Sequence, residues 1–412
     1  MPLGAVPLAL DVNKKGRGFM IAKKMQEQVQ NSSVIRNMFE EGKRLAAIHG
    51  AENVFDFSLG NPSVEPPDQV KKAICEVVNE ENPNSIHGYM NNSGYEDVRK
   101  IIAQSINDKF ETSFTHNNII MTVGAAGGLN VIFKTLLDPQ DEVITFAPFF
   151  GEYRNYVRNY DGELVIVAAN TDDFQPNFKE FAEKITPKTK AVIINSPNNP
   201  TGVVYAEESI IKLADLLRAK QKEFGTDIYL ISDEPYRELV YDGLEVPYLS
   251  KYYANTIIAY SFSKSLSLPG ERIGYLVVSD QAADYENIIL AANIATRILG
   301  FVNAPSLFQR VIAKCLNAQV DIDTYNQNRE LLYNGLSAYG YQCIKPQGAF
   351  YMFIKTPIAD DVEFCNLAKQ ENILIVPGSA FGCPGYARIA YCVDYKTIEK
   401  ALPGFKALIE AK

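Results

Sequence analysis

Ser261, Ser263, Lys264 and Arg272 stand within a dozen residues of one another, in the run Ser261-Phe262-Ser263-Lys264 and, after Leu268-Pro269-Gly270, in Glu271-Arg272-Ile273-Gly274. Apolar stretches on either side, Ile257-Ile258-Ala259-Tyr260 and Ile273-Gly274-Tyr275-Leu276-Val277-Val278, read as strands. A lysine fixed between two core strands suits an amine that must form an imine. Two hydroxyls and a guanidinium beside it suit a phosphate. Together they point to a site for pyridoxal phosphate, a cofactor that the protein would bind and whose electronics it would tune.

Three further stretches carry groups of the right kind. Asp233 ends the apolar run 227–233 and is followed by Glu234-Pro235-Tyr236. Ligands of open α/β sheets bind beyond the carboxyl ends of the strands. A carboxylate there can pair with a protonated pyridine nitrogen and favour its charged form; it can equally be the N-cap of a following helix. Asn195-Ser196-Pro197-Asn198-Asn199-Pro200-Thr201-Gly202 has the composition of a plain turn. An asparagine amide held in such a proline-stiffened loop is also a good donor to a phenolate oxygen, and Tyr236 offers a second donor to the same atom. Val123-Gly124-Ala125-Ala126-Gly127-Gly128 joins a strand to a helix. Its small side chains either let a phosphate approach backbone N–H groups at a helix N-terminus or serve close helix–sheet packing. It fits neither the P-loop nor the dinucleotide-binding glycine pattern.

The elements that must hold these groups alternate. Strands are expected at 118–122, 142–146, 164–167, 191–195, 227–233, 257–260 and 273–278, with helices at 129–137 and 207–224. Near-continuous apolar strands with helical crossovers predict an α/β large domain: a mostly parallel sheet covered by helices on both faces. The C-terminal third differs. A long helical pattern from about Pro305 to Ala338 precedes short strands at 350–353, 373–376 and 388–392, which predicts a smaller α+β domain. The expected division is an N-terminal arm and part of the small domain over 1–60, the large domain over 61–310, and the small C-terminal domain over 311–412.

Bulk properties narrow the classes. At 412 residues two domains are the natural expectation. A net charge of −9 leaves no basic field for nonspecific nucleic-acid binding. The six cysteines form no CxxC pair and have no histidine within four residues, so neither a metal site nor a disulfide framework is expected. His49, His87 and His116 lack partners at catalytic or metal-ligating spacing and read as structural. Residues 2–10 are apolar, but Lys14, Lys15 and Arg17 follow them, the reverse of a signal peptide. No stretch is long enough to span a bilayer. The expected compartment is the cytoplasm.

Asn199-Pro200-Thr201-Gly202, Ser232-Asp233-Glu234-Pro235-Tyr236 and Ser261-x-Ser263-Lys264 with Arg272 resemble, in order and spacing, the fold type I pyridoxal phosphate enzymes, specifically the class I/II (aspartate aminotransferase-like) aminotransferases. The resemblance covers about residues 30–410. It implies that Lys264 forms the imine with the cofactor and carries the Cα proton. Asp233 would hold the pyridine N–H, and Asn199 and Tyr236 would bond the phenolic oxygen. Ser261, Ser263, Arg272 and the backbone around Gly124, Ala125 and Ala126 would hold the phosphate. Phe150, otherwise a core residue, would stack on the ring. Arg388, otherwise a surface ion-pairing residue, would bind the substrate α-carboxylate, a task for a bidentate guanidinium. Gly60 would belong to the segment covering the substrate. Tyr89 would reach the phosphate of a neighbouring subunit, which implies a homodimer.

The implied reaction is a ping-pong transamination between an L-amino acid and a 2-oxo acid. Substrate choice stays open. Ala126 stands where one subgroup of aspartate aminotransferases places a lysine for the distal carboxylate. Arg297 is either a substitute for it or an ordinary surface arginine. A carbon–sulfur β-lyase or a cyclopropane-forming synthase of the same fold would use the same lysine and aspartate. A non-catalytic effector-sensing domain of a transcription regulator would need a DNA-binding domain ahead of the sheet, and the roughly 30 residues there are too few for one.

Overall fold

The computed structural model describes residues 21–30 and 34–410; the apolar run at 2–10 and the three basic residues after it lie outside them. In chain order the strands are β1 (Phe55–Asp56), β2 (Ile119–Thr122), β3 (Glu142–Phe146), β4 (Glu163–Val167), β5 (Thr189–Asn195), β6 (Tyr229–Asp233), β7 (Thr256–Ser261), β8 (Gly274–Val278), β9 (Tyr351–Lys355), β10 (Ile373–Leu374), β11 (Val376–Pro377) and β12 (Tyr386–Ala390).

Seven of them form one sheet in the order β2-β8-β7-β6-β5-β3-β4. β8 pairs antiparallel with both its neighbours; every other pairing is parallel. Alternate side chains go to opposite faces, as the pleat requires. Ala191 and Ile193 of β5 pack with Leu129, Ile132 and Phe133 of the helix Gly124–Leu136. Val192 and Ile194 pack on Ile210, Leu213 and Leu217 of the helix Glu207–Phe224. Further along the second face, Ile258 and Tyr260 meet Val98 and Ile102 of the helix Glu96–Phe110. Both faces are thus covered, so an unbroken apolar strand is the stable sequence pattern.

The register sets the site. Asn195 pairs with Asp233, Asp233 with Ala259, Ser261 with Gly274, and Gly274 with Thr122. Because β8 runs backwards, its start lies beside the ends of β7 and β2. Arg272, Lys264, Asp233, Asn199 and the Gly124 turn therefore leave the sheet along one edge.

The C-terminal elements form a three-stranded antiparallel sheet, β11-β12-β9, and β10 pairs in parallel with β1. Phe57 and Leu45 share a core with Phe350, Met352, Ile389, Ile398 and Phe405, so the chain before residue 60 packs with the C-terminal part. The N–H groups of Phe55 and Phe57 donate to the carbonyls of Asn372 and Leu374, and the N–H of Ala390 donates to the carbonyl of Phe57.

Three expectations need correction. The helical pattern from Pro305 to Ala338 is two helices, Ser306–Ala313 and Ile322–Ala338. The second has its own start signal: the Asp321 side chain accepts from the N–H of Thr324. The first shares the core on one face of the large sheet through Val311 and Ile312, whereas Tyr325 and Leu332 of the second belong to the C-terminal core. The strand expected at 373–376 is two short ones, with Ile375 between them. β10 serves β1 and β11 serves β12. The helix expected from 129 begins at Gly124, so the Gly/Ala run is its first turn.

Candidate active site

A cavity of ≈ 310 Å³ opens at the carboxyl ends of β5, β6 and β7 and is closed on its other side by Ser58, Leu59, Gly60, Tyr351 and Arg388. Lys264 enters it from a single helical turn, Phe262–Ser265, that follows β7 directly. The Ser261 hydroxyl caps that turn by accepting from the N–H of Ser263, and the two serine hydroxyls lie 2.8 Å apart. The Lys264 Nζ donates to the carbonyl of Gly60 at 2.6 Å. Burial pushes the Lys264 amine down to about 8; the Cys392 thiol opposes this, and the guanidiniums of Arg272 and Arg388 add to it. Such an amine is partly neutral, and nucleophilic, near neutral pH.

Asp233 ends β6 with its carboxylate buried. Its Oδ2 accepts from the Tyr153 hydroxyl at 2.6 Å, while Oδ1 is buried with no hydrogen-bond partner. Burial raises its pKa to about 7, against the pull of the Tyr153 hydrogen bond and with a further push from Glu234. A buried acceptor left open beside a cavity is costly unless a donor fills it. Asn195 holds the neighbouring loop: its Nδ2 donates to the Asp233 carbonyl at 2.8 Å, and its Oδ1 accepts from the N–H of Asn199 at 2.7 Å.

Arg272 and Gly124 meet at the other end. The Arg272 guanidinium donates to the Pro269 carbonyl at 3.0 Å and more weakly to the Ser263 hydroxyl at 3.4 Å. Gly124 has φ +74°, which favours glycine, and a Cβ there would also crowd the Arg272 guanidinium at 2.9 Å. Ala125 and Ala126 line the cavity next to Ser261 and Ser263. Here hydroxyls, a guanidinium and the first turn of a helix converge on one corner.

Arg388 stands in β12, the middle strand of its sheet, and is 3% exposed. It donates to Asn199 Oδ1 at 3.1 Å and to the Ser58 carbonyl at 2.5 Å, leaving Nε buried and unpartnered. Its guanidinium lies over the Tyr351 and Phe381 rings, 4.7 and 4.9 Å from their centroids. Among the described residues no carboxylate forms a salt bridge with it, which removes the surface ion-pair reading. A buried cation without a counter-charge is costly.

The cavity thus gathers Lys264, Asp233, Tyr236, Asn199, Ser261, Ser263, Arg272, Ala125, Ala126, Phe150, Gly60 and Arg388. Gly124 stands just behind the wall, against Arg272. Tyr89 is outside and 92% exposed, and Arg297 is exposed on the helix Tyr285–Ile298. Sequence reasoning missed Tyr153, Tyr156, Tyr351, Ser58 and Leu59. Tyr351 lay inside an apolar strand run, and Tyr153 follows Pro148-Phe149-Phe150 at a spacing with no signature of its own. Among the described residues no cluster of acids, histidines and cysteines could hold a metal ion, and no helix is long and apolar enough to cross a membrane.

Comparison with known proteins identifies the family. The family model for class I and II aminotransferases matches residues 52–405. A probable aspartate/prephenate aminotransferase of Thermus aquaticus is 31% identical over 86% of this chain and 91% of its own. An aminotransferase from Eubacterium rectale, known from its crystal structure, is 48% identical over 96% of this chain and 99% of its own, with a TM-score of 0.93. The aspartate aminotransferase of Thermus thermophilus with maleate is 27% identical over 95% of this chain and 100% of its own, with a TM-score of 0.82. The chain belongs to the class I and II aminotransferase family, whose members transfer amino groups and use pyridoxal phosphate.

Proposed function

We propose that the cavity holds pyridoxal phosphate and that the protein uses it to pass the amino group of an L-amino acid to a 2-oxo acid in two half-reactions. The observation that carries this reading is the joint presence, on one wall, of an amine lowered to about 8 and a buried carboxylate oxygen with no donor. The residues fit the group. Asp233 Oδ1 would accept from a ring N–H, and Tyr236 and Asn199 would donate to the phenolic oxygen. Phe150, which lines the cavity, would cover one face of the ring. Ser261, Ser263, Arg272 and the turn at Gly124–Ala126 form the phosphate corner. When bound, the cofactor supplies an aldehyde carbon to take up the amino group and a ring that accepts the electrons left at Cα.

The protein's own part is positioning and proton transfer. Arg388 binds the α-carboxylate and fixes which Cα bond faces the ring. Lys264 Nζ would be the base that takes the substrate Cα proton and the acid that delivers it to the carbon supplied by the cofactor aldehyde; its lowered basicity suits it to both directions near neutral pH. Asp233 would pair with a ring N–H of the cofactor, and a positive charge there would favour its ionised form. Gly60 and its neighbours cover the substrate and exclude water.

The same reading includes a homodimer. Leu290, Ile294 and Ile298 form an exposed stripe at one-turn spacing on the helix Tyr285–Ile298, 61%, 51% and 58% exposed. That helix touches the Tyr89 segment, where the Ser93 hydroxyl donates to Asn293 Oδ1 at 2.6 Å. A partner seated on the stripe would cover Tyr89 and bring it toward the second site. Ile294→Asp should yield a monomer in sedimentation.

The deciding experiment adds amino acids one at a time to the cofactor-loaded protein and follows its visible absorbance. True donors change the spectrum stoichiometrically, and an added 2-oxo acid restores it. Release of pyruvate and ammonia with no oxo acid present would make the protein a β-lyase instead. A protein that stays colourless with pyridoxal phosphate, and to which borohydride fixes nothing at Lys264, would refute the site.

A further inference from the structure

We propose that Tyr351 is a positioning residue: its hydroxyl donates to the Tyr236 oxygen and so turns the Tyr236 proton into the cavity. The two oxygens are 2.9 Å apart, both side chains are buried, and either atom can be the donor on distance alone. Each hydroxyl has one proton, so a Tyr236 that donates to Tyr351 has nothing left for a ligand.

The surroundings break the tie. The Arg388 guanidinium lies 4.7 Å from the centre of the Tyr351 ring, whereas the Tyr236 ring makes T-shaped contacts with Phe350 and Tyr351 and, among the described contacts, has no cation over it. A cation on the ring face withdraws electron density from the phenol and makes its O–H the better donor. The Gly60 backbone closes over the same hydroxyl so tightly that a Cβ there would lie 1.9 Å from the Tyr351 oxygen. That holds the Tyr351 oxygen against Tyr236 and keeps water from competing for its proton. The residue that binds the α-carboxylate thereby also polarises a donor relay, Tyr351 to Tyr236, that ends at the cofactor's phenolic oxygen.

The inference rests on the cavity being the cofactor site, and a double-mutant cycle separates the two. Cofactor-free wild type, Tyr351→Phe, Tyr236→Phe and the double variant are titrated with pyridoxal phosphate by equilibrium dialysis. Phenylalanine keeps both rings and the Arg388 stack, and unchanged circular dichroism verifies the fold. Tyr351→Phe should weaken binding about fivefold, the scale of one lost net hydrogen bond. In the Tyr236→Phe background it should have no further effect. Independent, multiplying losses, or no loss in the single variant, overturn the relay while leaving the cofactor site standing. A rise in KM for the amino acid with cofactor affinity unchanged would also overturn it, because Tyr351 would then serve the substrate directly. Failure of the wild type to bind pyridoxal phosphate sinks the site itself.

Discussion

Asp233, Ser261 and Lys264 reach the cavity from the ends of adjacent strands of one sheet, whereas Tyr351 and Arg388 come from the paired strands β9 and β12 of the smaller sheet and Gly60 from a segment far from both in sequence. The first wall is rigid by construction. Its groups inherit their spacing from hydrogen-bonded register, with Asn195 opposite Asp233 and Asp233 opposite Ala259. The second wall depends on tertiary packing. The chain at 55–57 is held by backbone hydrogen bonds to 372, 374 and 390, and only then does the Ser58 carbonyl face Arg388 and the Gly60 carbonyl face Lys264. A site whose chemistry sits on the stiff wall and whose substrate contacts sit on the assembled one can vary its specificity without disturbing its catalysis.

The two walls should therefore fail differently when broken. Lys264→Ala removes both the imine-forming amine and the proton carrier, so kcat should fall by about 10⁴-fold or more; an active variant would overturn the assignment. Asp233→Ala should lower kcat by about 10³-fold, the scale of a lost preorganised electrostatic partner, and should loosen the cofactor. Arg388→Lys keeps the charge but loses the bidentate fork. Its KM for the amino acid should rise by about 10- to 100-fold with kcat within a few-fold. If it instead lowers kcat as much as Asp233→Ala does, the division of labour between the walls is wrong.

The same contrast explains what could be read before folding. Strand-end groups come with local signals: Asp233 closes an apolar run, Lys264 follows one, and Asn199 sits among prolines in a turn. Their side chains point where the strand ends point, so sequence order gives most of their geometry. Arg388 was visible only through the family resemblance, because nothing local marks a central strand from an edge one. Tyr351 was read as an apolar strand residue, which it is on its ring, and its hydroxyl partner is 115 residues away. The break between Ala313 and Ile322 was hidden for a related reason. Both halves have helical apolar spacing, but they serve different cores.

Tyr153 offers the finest test, since it supports the stiff wall from behind without lining the cavity. Its hydroxyl hydrogen bond to Asp233 Oδ2 favours the carboxylate, while burial has already raised that carboxyl from 3.8 to about 7. Tyr153→Phe should raise it further, by about 0.5–1 unit for one net hydrogen bond. The carboxyl stretch of the cofactor-free protein, followed by infrared titration, reads this shift. A folded-state pKa above the unfolded one means that the folded state binds the extra proton. The contribution of Asp233 to stability is then fully present below 3.8 and is lost as pH rises through about 7. In Tyr153→Phe the loss should continue to higher pH. Cofactor uptake should be a few-fold weaker than wild type at pH 7, where more of the carboxyl is protonated, and the gap should narrow toward pH 9. A gap that is constant across pH would mean that Tyr153 only fills space behind Asp233, and that the carboxylate owes its state to the ring nitrogen alone.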